Sequence, residues 1–240
     1  VRYNTEFHRV VSLGSNVFAQ CLQAKPHSSR QSFEILNSQS IIEVQAVIQE
    51  EGGLREMATG ADGIVTALKE EGVDTLFGIP SIHNIRLYEA LRKEPAIRHI
   101  LCRQEATATN MADGYARAGN RLGVVAASTG PGTGYVVPAI QEAWGSCSPV
   151  LLITTNVHAP KIGKGLGVLH ELEDQDRLFQ NITKARFKVR QGDNIHAMTR
   201  EAIRVALSDR PGPVYLEVPT DLLVVPASDA GGPGSEDAQG

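Results

Sequence analysis

Short apolar runs alternate with amphipathic helical stretches along most of this chain, and the alternation limits the folds open to it. The run Leu122–Ala127 is apolar throughout, as is typical of a strand buried on both faces of a sheet. By contrast, Asp62–Glu71 places Ile64, Ala67 and Leu68 on one helical face. Strands that alternate with helices indicate a parallel sheet with helices on both faces. We therefore predict a doubly wound α/β fold with a mainly parallel sheet of six strands.

The same patterns locate the individual elements. The predicted strands are Thr75–Ile79, Ile97–Cys102, Leu122–Ala127, Val150–Thr154, Ala185–Val189 and Val214–Val218. The predicted helices are Asp62–Glu71, Asn84–Arg92, Glu105–Ala118, Val136–Trp144 and Asn194–Leu207. Ligands of such sheets bind beyond the carboxyl ends of the strands. The loops to search for a site are therefore those at Pro80, 103–105, 128–134 and 156–170.

Both ends of the chain differ from this central region in sequence pattern or in composition. Residues 1–56 show no sustained period, and we interpret them as an irregular, non-native extension that precedes a natural start at Met57. Residues 57–225 form the predicted domain. Residues 226–240 are rich in Gly, Ser, Asp and Ala, which predicts a flexible linker or tail.

Charge and composition argue against several classes of partner. The net charge of −4 does not favour nucleic acid or an anionic membrane surface. No apolar run approaches the ~18 residues that a membrane-spanning helix needs. No secretory signal opens the chain, so we expect a cytoplasmic protein. Cys21, Cys102 and Cys147 share no metal or redox spacing, and we expect three buried, reduced thiols.

Two features at the carboxyl ends of the strands could carry chemistry. Glu105 opens a helix directly after a strand, where a carboxylate either serves only the helix dipole or has a functional role. The glycine-rich turn 128–134 follows a buried strand and opens a helix, so its backbone amides can approach a ligand closely. Its glycines match no nucleotide-binding motif, and a tight turn that needs positive φ is the alternative interpretation.

Other polar segments are weaker candidates. The stretch Gly163–Gly167 has the composition of a phosphate loop without the flanking strand and helix, so we predict a mobile loop. His170 and Glu171 do not form a zinc-binding H-E-x-x-H motif, because Asp174 stands at the place of the second histidine. We expect the remaining scattered histidines at the surface or at the edge of the core: His83, His99, His158 and His196.

Five short segments, taken in order, resemble one known family. They are Gly78-Ile79-Pro80, Arg103–Ala106, Ala112–Arg117, Ser128–Gly132 and Arg210–Val214. In this order they resemble the N-terminal, pyrimidine-binding domain of thiamine-diphosphate-dependent enzymes related to acetolactate synthase, pyruvate oxidase and benzoylformate decarboxylase. The resemblance covers roughly residues 59–221. Each segment alone is weak evidence for the family, whereas five segments in one order at the expected strand ends are specific for it.

The resemblance implies roles for individual residues. Glu105 matches the glutamate that hydrogen-bonds a ring nitrogen of the cofactor's aminopyrimidine and so assists proton removal from the thiazolium carbon. His170 aligns loosely with a substrate-side group of the family. The residues implied to bind the cofactor are Pro80, Glu105, Ser128, Thr129, Gly130, Pro131 and Gly132.

Three residues depart from the family's usual pattern without touching Glu105. Gln104 stands where many relatives have histidine, Ser81 replaces a common glycine, and Tyr135 replaces an asparagine after the turn. We expect these changes to bear on substrate choice, and Tyr135 also on contact with the cofactor.

The resemblance also implies that this chain supplies only half of an active site. Relatives hold Mg²⁺ and the diphosphate on a second domain with a Gly-Asp-Gly motif, and Gly192-Asp193-Asn194 is the nearest string here. We therefore expect no metal ligands in this chain, and no activity from it alone. A second copy or a separate chain would complete the site within a homo- or hetero-oligomer. FAD is compatible with the family, but nothing in the sequence indicates it.

Three hypotheses of function follow. The chain is the front part of a complete enzyme, the small subunit of a split 2-oxo acid decarboxylase, or a non-catalytic binding module with the same fold. The presence of Glu105 argues against the last. For the complete enzyme the resemblance implies a small 2-oxo acid such as pyruvate as substrate, with carboligation as the first choice of reaction and simple decarboxylation as the alternative.

Overall fold

Six strands form one parallel sheet in the computed structural model, which describes residues 58–225. The strands are β1 Thr75–Gly78, β2 Arg98–Leu101, β3 Gly123–Ala127, β4 Val150–Asn156, β5 Ala185–Lys188 and β6 Val214–Pro219. Their order across the sheet is β2-β1-β3-β4-β6-β5, and every neighbouring pair is parallel. The predicted doubly wound α/β fold is confirmed. The predictions made for residues 1–56 and 226–240 lie outside the described residues.

Helices cover both faces of this sheet. They are α1 Gly60–Glu70, α2 Ile85–Arg92, α3 Glu105–Gly119, α4 Pro131–Gly145 and α5 Ile195–Leu207, with short 3-10 turns at Ala159–Lys161 and Gln175–Phe179. One apolar cluster joins α1, α2 and α5 to the sheet, and a second joins α3 and α4 to the opposite face. None of the helices between residues 58 and 225 has the length and apolar character needed to cross a bilayer.

The central strands divide their side chains between these two clusters. In β4, Leu151 and Ile153 belong to the first cluster, whereas Val150 and Leu152 belong to the second. This is the two-residue alternation of a strand, and all four side chains are almost fully buried. Burying each such side chain stabilises the fold by roughly 1.5–3 kcal/mol. An apolar run therefore predicts a central strand here better than an alternating pattern would.

The first turn of α1 is held by hydrogen bonds within the turn and by hydrogen bonds to residues 223 and 225. Thr59 and Asp62 form a capping box, in which the Asp62 carboxylate accepts from Thr59 N at 2.8 Å and the Thr59 hydroxyl accepts from Asp62 N at 3.2 Å. Gly60 and Ala61 donate their amides to the carbonyls of Val225 and Leu223, both at 3.0 Å. The helix therefore starts two residues earlier than the apolar pattern predicts.

Two other boundaries differ from prediction because polar residues continue an element. Thr155 and Asn156 extend β4 and pair with β6, although the predicted strand ended at Thr154. Helix α4 begins at Pro131, not at Val136, so residues 131–134 of the glycine-rich turn form the first turn of the helix. Proline is well suited to this position because it has no amide to leave unsatisfied and its φ is already helical.

One expectation about side-chain burial is corrected. Cys102 is buried, but Cys147 is half-buried and lies 2.9 Å from the Arg210 guanidinium, so it is not a core thiol. Cys21 lies outside the described residues. In α5, Met198 and Val205 are only partly buried at the edge of the core. The fully inward positions of α5 are Ile195, Thr199, Ala202, Ile203 and Ala206.

Candidate functional site

Loops that follow neighbouring strands meet at the carboxyl edge of the sheet. The Ser81 hydroxyl, after β1, donates to the Ser128 hydroxyl, after β3, at 2.8 Å. The Gly130 amide donates to the Gln175 side-chain carbonyl at 2.7 Å. The sequence-predicted residues at Pro80, Glu105, the 128–132 turn and His170 all belong to the loops or helix starts of this edge.

Glu105 is the first residue of α3 and faces the glycine-rich turn. A Cβ added at Gly132 would lie 3.2 Å from the Glu105 carboxylate oxygen, so a larger residue there would crowd it. The carboxylate is half-buried, and it makes no hydrogen bond or ion pair with any other residue of the described range. A partly buried carboxylate without a protein partner is available to a ligand.

Tyr88, a residue that the sequence analysis did not single out, lies near Glu105. Its hydroxyl is buried and has no hydrogen-bond partner among residues 58–225. Burial raises the pKa of Tyr88 well above its usual range, and the neighbouring Cys102 and Glu105 act in the same direction. The phenol therefore stays neutral near the carboxylate.

The glycine-rich turn depends on the absence of side chains. Gly130 has φ of 58° and ψ of −107°, a conformation that strongly favours glycine. The interpretation as a tight turn with positive φ is therefore confirmed, and it does not exclude a ligand. The Thr133 hydroxyl donates to the Ser128 carbonyl at 2.6 Å and closes the turn. The amides of Gly132 and Thr133 lie in the first turn of α4, where helical amides have no intrahelical acceptor.

The loop after β1 forms the neighbouring wall. Pro80 is exposed, and the next residue, Ser81, reaches Ser128. Asn84 is buried and holds this loop, because its side-chain carbonyl accepts from Ser81 N at 2.6 Å and its amide donates to the Ile79 carbonyl at 3.1 Å. The departure from glycine at position 81 therefore adds a contact between two loops of the site.

His170 pairs with a histidine that the sequence analysis assigned to the surface or core edge. The rings of His83 and His170 stack with their centroids 4.9 Å apart and their planes tilted by 31°. Burial, followed by repulsion from His170, lowers the pKa of His83 below its usual value. Neither ring's Nδ1 has a partner among the described residues. His83 is therefore a residue of this edge that spacing alone did not reveal.

The remaining predicted candidates stay apart from this cluster. Glu171 binds its own loop, because its carboxylate accepts from the amides of Leu166 at 3.2 Å and Val168 at 3.1 Å. His158 is exposed, and His196 contacts Glu70 at 2.8 Å on the α1–α5 surface. Across residues 58–225, no three His, Cys, Asp or Glu side chains converge as a metal cluster.

Comparison with known protein families gives one match for half of the chain. Residues 58–178 match the model described as thiamine pyrophosphate enzyme, N-terminal TPP binding domain. This range begins just before α1 and includes Pro80, Glu105, the turn 128–132 and His170.

Similar proteins carry related names. A probable 2-ketoarginine decarboxylase of Pseudomonas aeruginosa is 38% identical over 170 residues, which cover 71% of this chain and 30% of that protein. An acetolactate synthase of Mycobacterium bovis is 36% identical over 70% of this chain and 27% of its own length. The acetolactate synthase large subunit of Lactococcus lactis is 32% identical over 75% of this chain and 31% of its own length. The chain thus spans less than a third of these relatives.

Proposed function

This chain belongs to the thiamine pyrophosphate enzymes, with residues 58–178 matching their N-terminal TPP binding domain, and we propose that it supplies the pyrimidine-binding half of an active site. The observation that carries the proposal is Glu105, a half-buried carboxylate with no partner among the described residues, next to a glycine that leaves space beside it. These residues fit the aminopyrimidine end of the cofactor.

Glu105 is the proposed catalytic residue. Its carboxylate would accept a hydrogen bond from, or share a proton with, a ring nitrogen of the aminopyrimidine. A carboxyl group in hydrogen-bond reach of a ring nitrogen is placed for general acid–base work. When bound, thiamine diphosphate supplies the electron sink for breaking a bond next to a carbonyl. The protein's part at this end is therefore orientation and proton transfer.

The proposed cofactor-binding wall consists of the loop after β1 and the turn after β3. The Ser81–Ser128 hydrogen bond joins these two loops, and Gly132 leaves room beside Glu105. The uncovered amides at the start of α4 would favour electron-rich ring atoms. The residues proposed to line the pyrimidine are Pro80, Ser128, Thr129, Gly130, Pro131 and Gly132.

We place His170, together with His83, on the substrate side of the site. Burial, together with repulsion from His170, lowers the pKa of His83, so the His83 ring favours its neutral form. One imidazole N–H can then donate to a carboxylate such as that of a 2-oxo acid, while its neighbour stays neutral.

The relatives' names support a 2-oxo acid substrate, with carboligation as the first choice and decarboxylation as the alternative. Mg²⁺ and the diphosphate would be held by a domain supplied by a second copy or by a separate chain, which implies a homo- or hetero-oligomer. A cytoplasmic location stays a prediction from the sequence, and FAD is compatible with the family without being indicated. The unpartnered Glu105 favours an enzyme over a non-catalytic module.

The decisive experiment compares Glu105→Gln with wild type in the enzyme completed by its diphosphate-binding domain. Calorimetry with thiamine diphosphate and Mg²⁺ should show binding by both proteins, while turnover of pyruvate falls at least about 100-fold in the variant, as expected for loss of acid–base catalysis. Glu142→Gln, the same change at an exposed position of α4, is the matched control. Full turnover by Glu105→Gln would show that Glu105 is only a helix-start carboxylate.

A further inference from the structure

Gln175 connects the glycine-rich turn to a polar network buried inside the fold. Its side chain is 1% exposed. The side-chain carbonyl accepts from the Gly130 amide at 2.7 Å, and the side-chain amide donates to the Thr155 carbonyl and to the Tyr215 hydroxyl, both at 3.0 Å. One side chain thus joins the turn to β4 and to β6.

The network continues from Tyr215 to a buried carboxyl group. The Tyr215 hydroxyl donates to Glu217 at 2.6 Å and accepts from the Thr154 hydroxyl at 3.0 Å. Burial raises the pKa of Tyr215 and also that of Glu217. Breaking one link of such a network leaves a buried polar group unsatisfied, which is costly in a low-dielectric interior.

Gln175 is held in place independently of the turn. The next residue, Asp176, forms ion pairs with Arg186 at 2.6 Å and Lys188 at 3.1 Å on the edge strand β5. Phe179, at the end of the same 3-10 turn, stacks on Tyr215 with ring centroids 4.4 Å apart. Because these contacts already fix the segment, the Gln175 amide can orient the turn.

The bond from Gly130 N to Gln175 sets the direction of one peptide plane. The Thr129–Gly130 peptide is trans, so its amide points toward Gln175 and the Thr129 carbonyl points to the opposite side. The hydroxyls of Thr129 and Thr155, 2.9 Å apart, make a second link at the same level. Gly132, two residues further along, lies beside Glu105.

We propose that Gln175 is a positioning residue, which holds the 128–132 turn in the orientation that the cofactor's pyrimidine requires. This inference rests on the function proposed above. Gln175 lies outside the turn, so the inference adds a residue to those proposed above for the site. It also gives the buried network the function of orienting the turn. Gln175 acts through Gly130 and need not touch the cofactor.

The test has a structural arm and a binding arm. Gln175→Met keeps a similar side-chain volume but removes both polar groups, and Gln180→Met makes the same change at an exposed position of the same segment. In the 240-residue chain, amide exchange followed by NMR should be at least ten-fold faster at Gly130 in Gln175→Met and unchanged in Gln180→Met. In the completed enzyme, the Kd for thiamine diphosphate should rise about ten-fold, while the KM for the 2-oxo acid stays within about two-fold.

A second variant covers the case in which Gln175→Met does not fold. Gln175→Asn keeps a buried amide but shortens the side chain by one methylene, so its carbonyl no longer reaches the Gly130 amide and exchange at Gly130 should again be faster than in wild type.

Unchanged exchange at Gly130 in a folded Gln175 variant would overturn the inference, and so would faster exchange with an unchanged Kd. Failure of the wild-type enzyme to bind thiamine diphosphate is a different result, because it would overturn the proposed function and this inference with it.

Discussion

Gly130 and His170 pack backbone against backbone, so that a Cβ added at Gly130 would lie 2.2 Å from the His170 carbonyl oxygen. Both residues have positive φ, 58° at Gly130 and 64° at His170. The long segment after β4 can therefore approach the turn after β3 only because position 130 has no side chain. This contact brings His170 to the edge of the sheet where Glu105 opens α3.

Replacing Gly130 by alanine should destabilise the domain by about 2 kcal/mol or more, because the strained φ alone costs roughly 1–3 kcal/mol. The clash with His170 adds to this cost. Urea unfolding of the variant measures the loss. Gly134→Ala is the matched control, since a Cβ at this helical position meets nothing within 4 Å. Equal stability of the two variants would contradict the described contact.

Removing the Tyr88 hydroxyl should leave the domain as stable as before, or stabilise it by up to about 1 kcal/mol, because this buried group has no described partner. Tyr115→Phe is the contrasting variant, since the Tyr115 hydroxyl bonds Asp74 and lies 3.2 Å from Arg121. Chemical denaturation of Tyr88→Phe and Tyr115→Phe compares the two hydroxyls. A clear loss of stability in Tyr88→Phe would reveal a partner for Tyr88.

The stacked histidines predict a pH dependence of stability. His83 has a folded-state pKa below its usual 6.5, chiefly through burial, so the unfolded chain binds its proton first as the pH falls. Its contribution is fully present above pH 6.5 and is lost as the pH drops below that value toward the folded-state pKa.

We therefore expect His83→Gln to lose less stability than wild type between neutral pH and about pH 5. Unfolding free energies measured across this range provide the comparison. His158→Gln, a change at an exposed histidine, should follow the wild-type curve. An unchanged slope for His83→Gln would show that this ring does not gain a proton on unfolding.

The two described cysteines should react at different rates under native conditions. Cys102 is buried, and burial raises the pKa of its thiol, so little thiolate is available to a reagent. Cys147 is half-buried and lies beside Arg210. Iodoacetamide labelling followed by peptide mass spectrometry should find Cys147 modified well before Cys102. Equal rates in the folded protein would contradict the burial of Cys102.

Sequence patterns predicted the sheet well because its strands are defined by what they bury. Leu122–Ala127 could hardly be anything other than a central strand, and β3 is buried at every position. The polar extension of β4 was missed because Thr155 and Asn156 gain their place through pairing with β6, more than 60 residues away in sequence. Such pairing leaves no local signal.

The candidate site could be proposed from the sequence only at residues that belong to a recognisable motif. Glu105 and the 128–132 turn stand at strand ends in recognisable strings. His83, Tyr88 and Gln175 lie near the candidate site beside residues that are distant along the chain, and each belongs to a segment whose local pattern is ordinary. These residues are placed by contacts between loops that are far apart in sequence. The spacing of residues within one segment does not predict such contacts.

The hydrogen bonds from Gly60 to Val225 and from Ala61 to Leu223 hold the two ends of the described segment next to each other. Residues 58 and 225 leave it at the same place, so a short connection could join them without moving any strand. A circularly permuted chain, opened at the exposed turn around Gly192, should then keep the same sheet and the same meeting of loops. The order in which the strands are synthesised would change, while the neighbours of each strand would not.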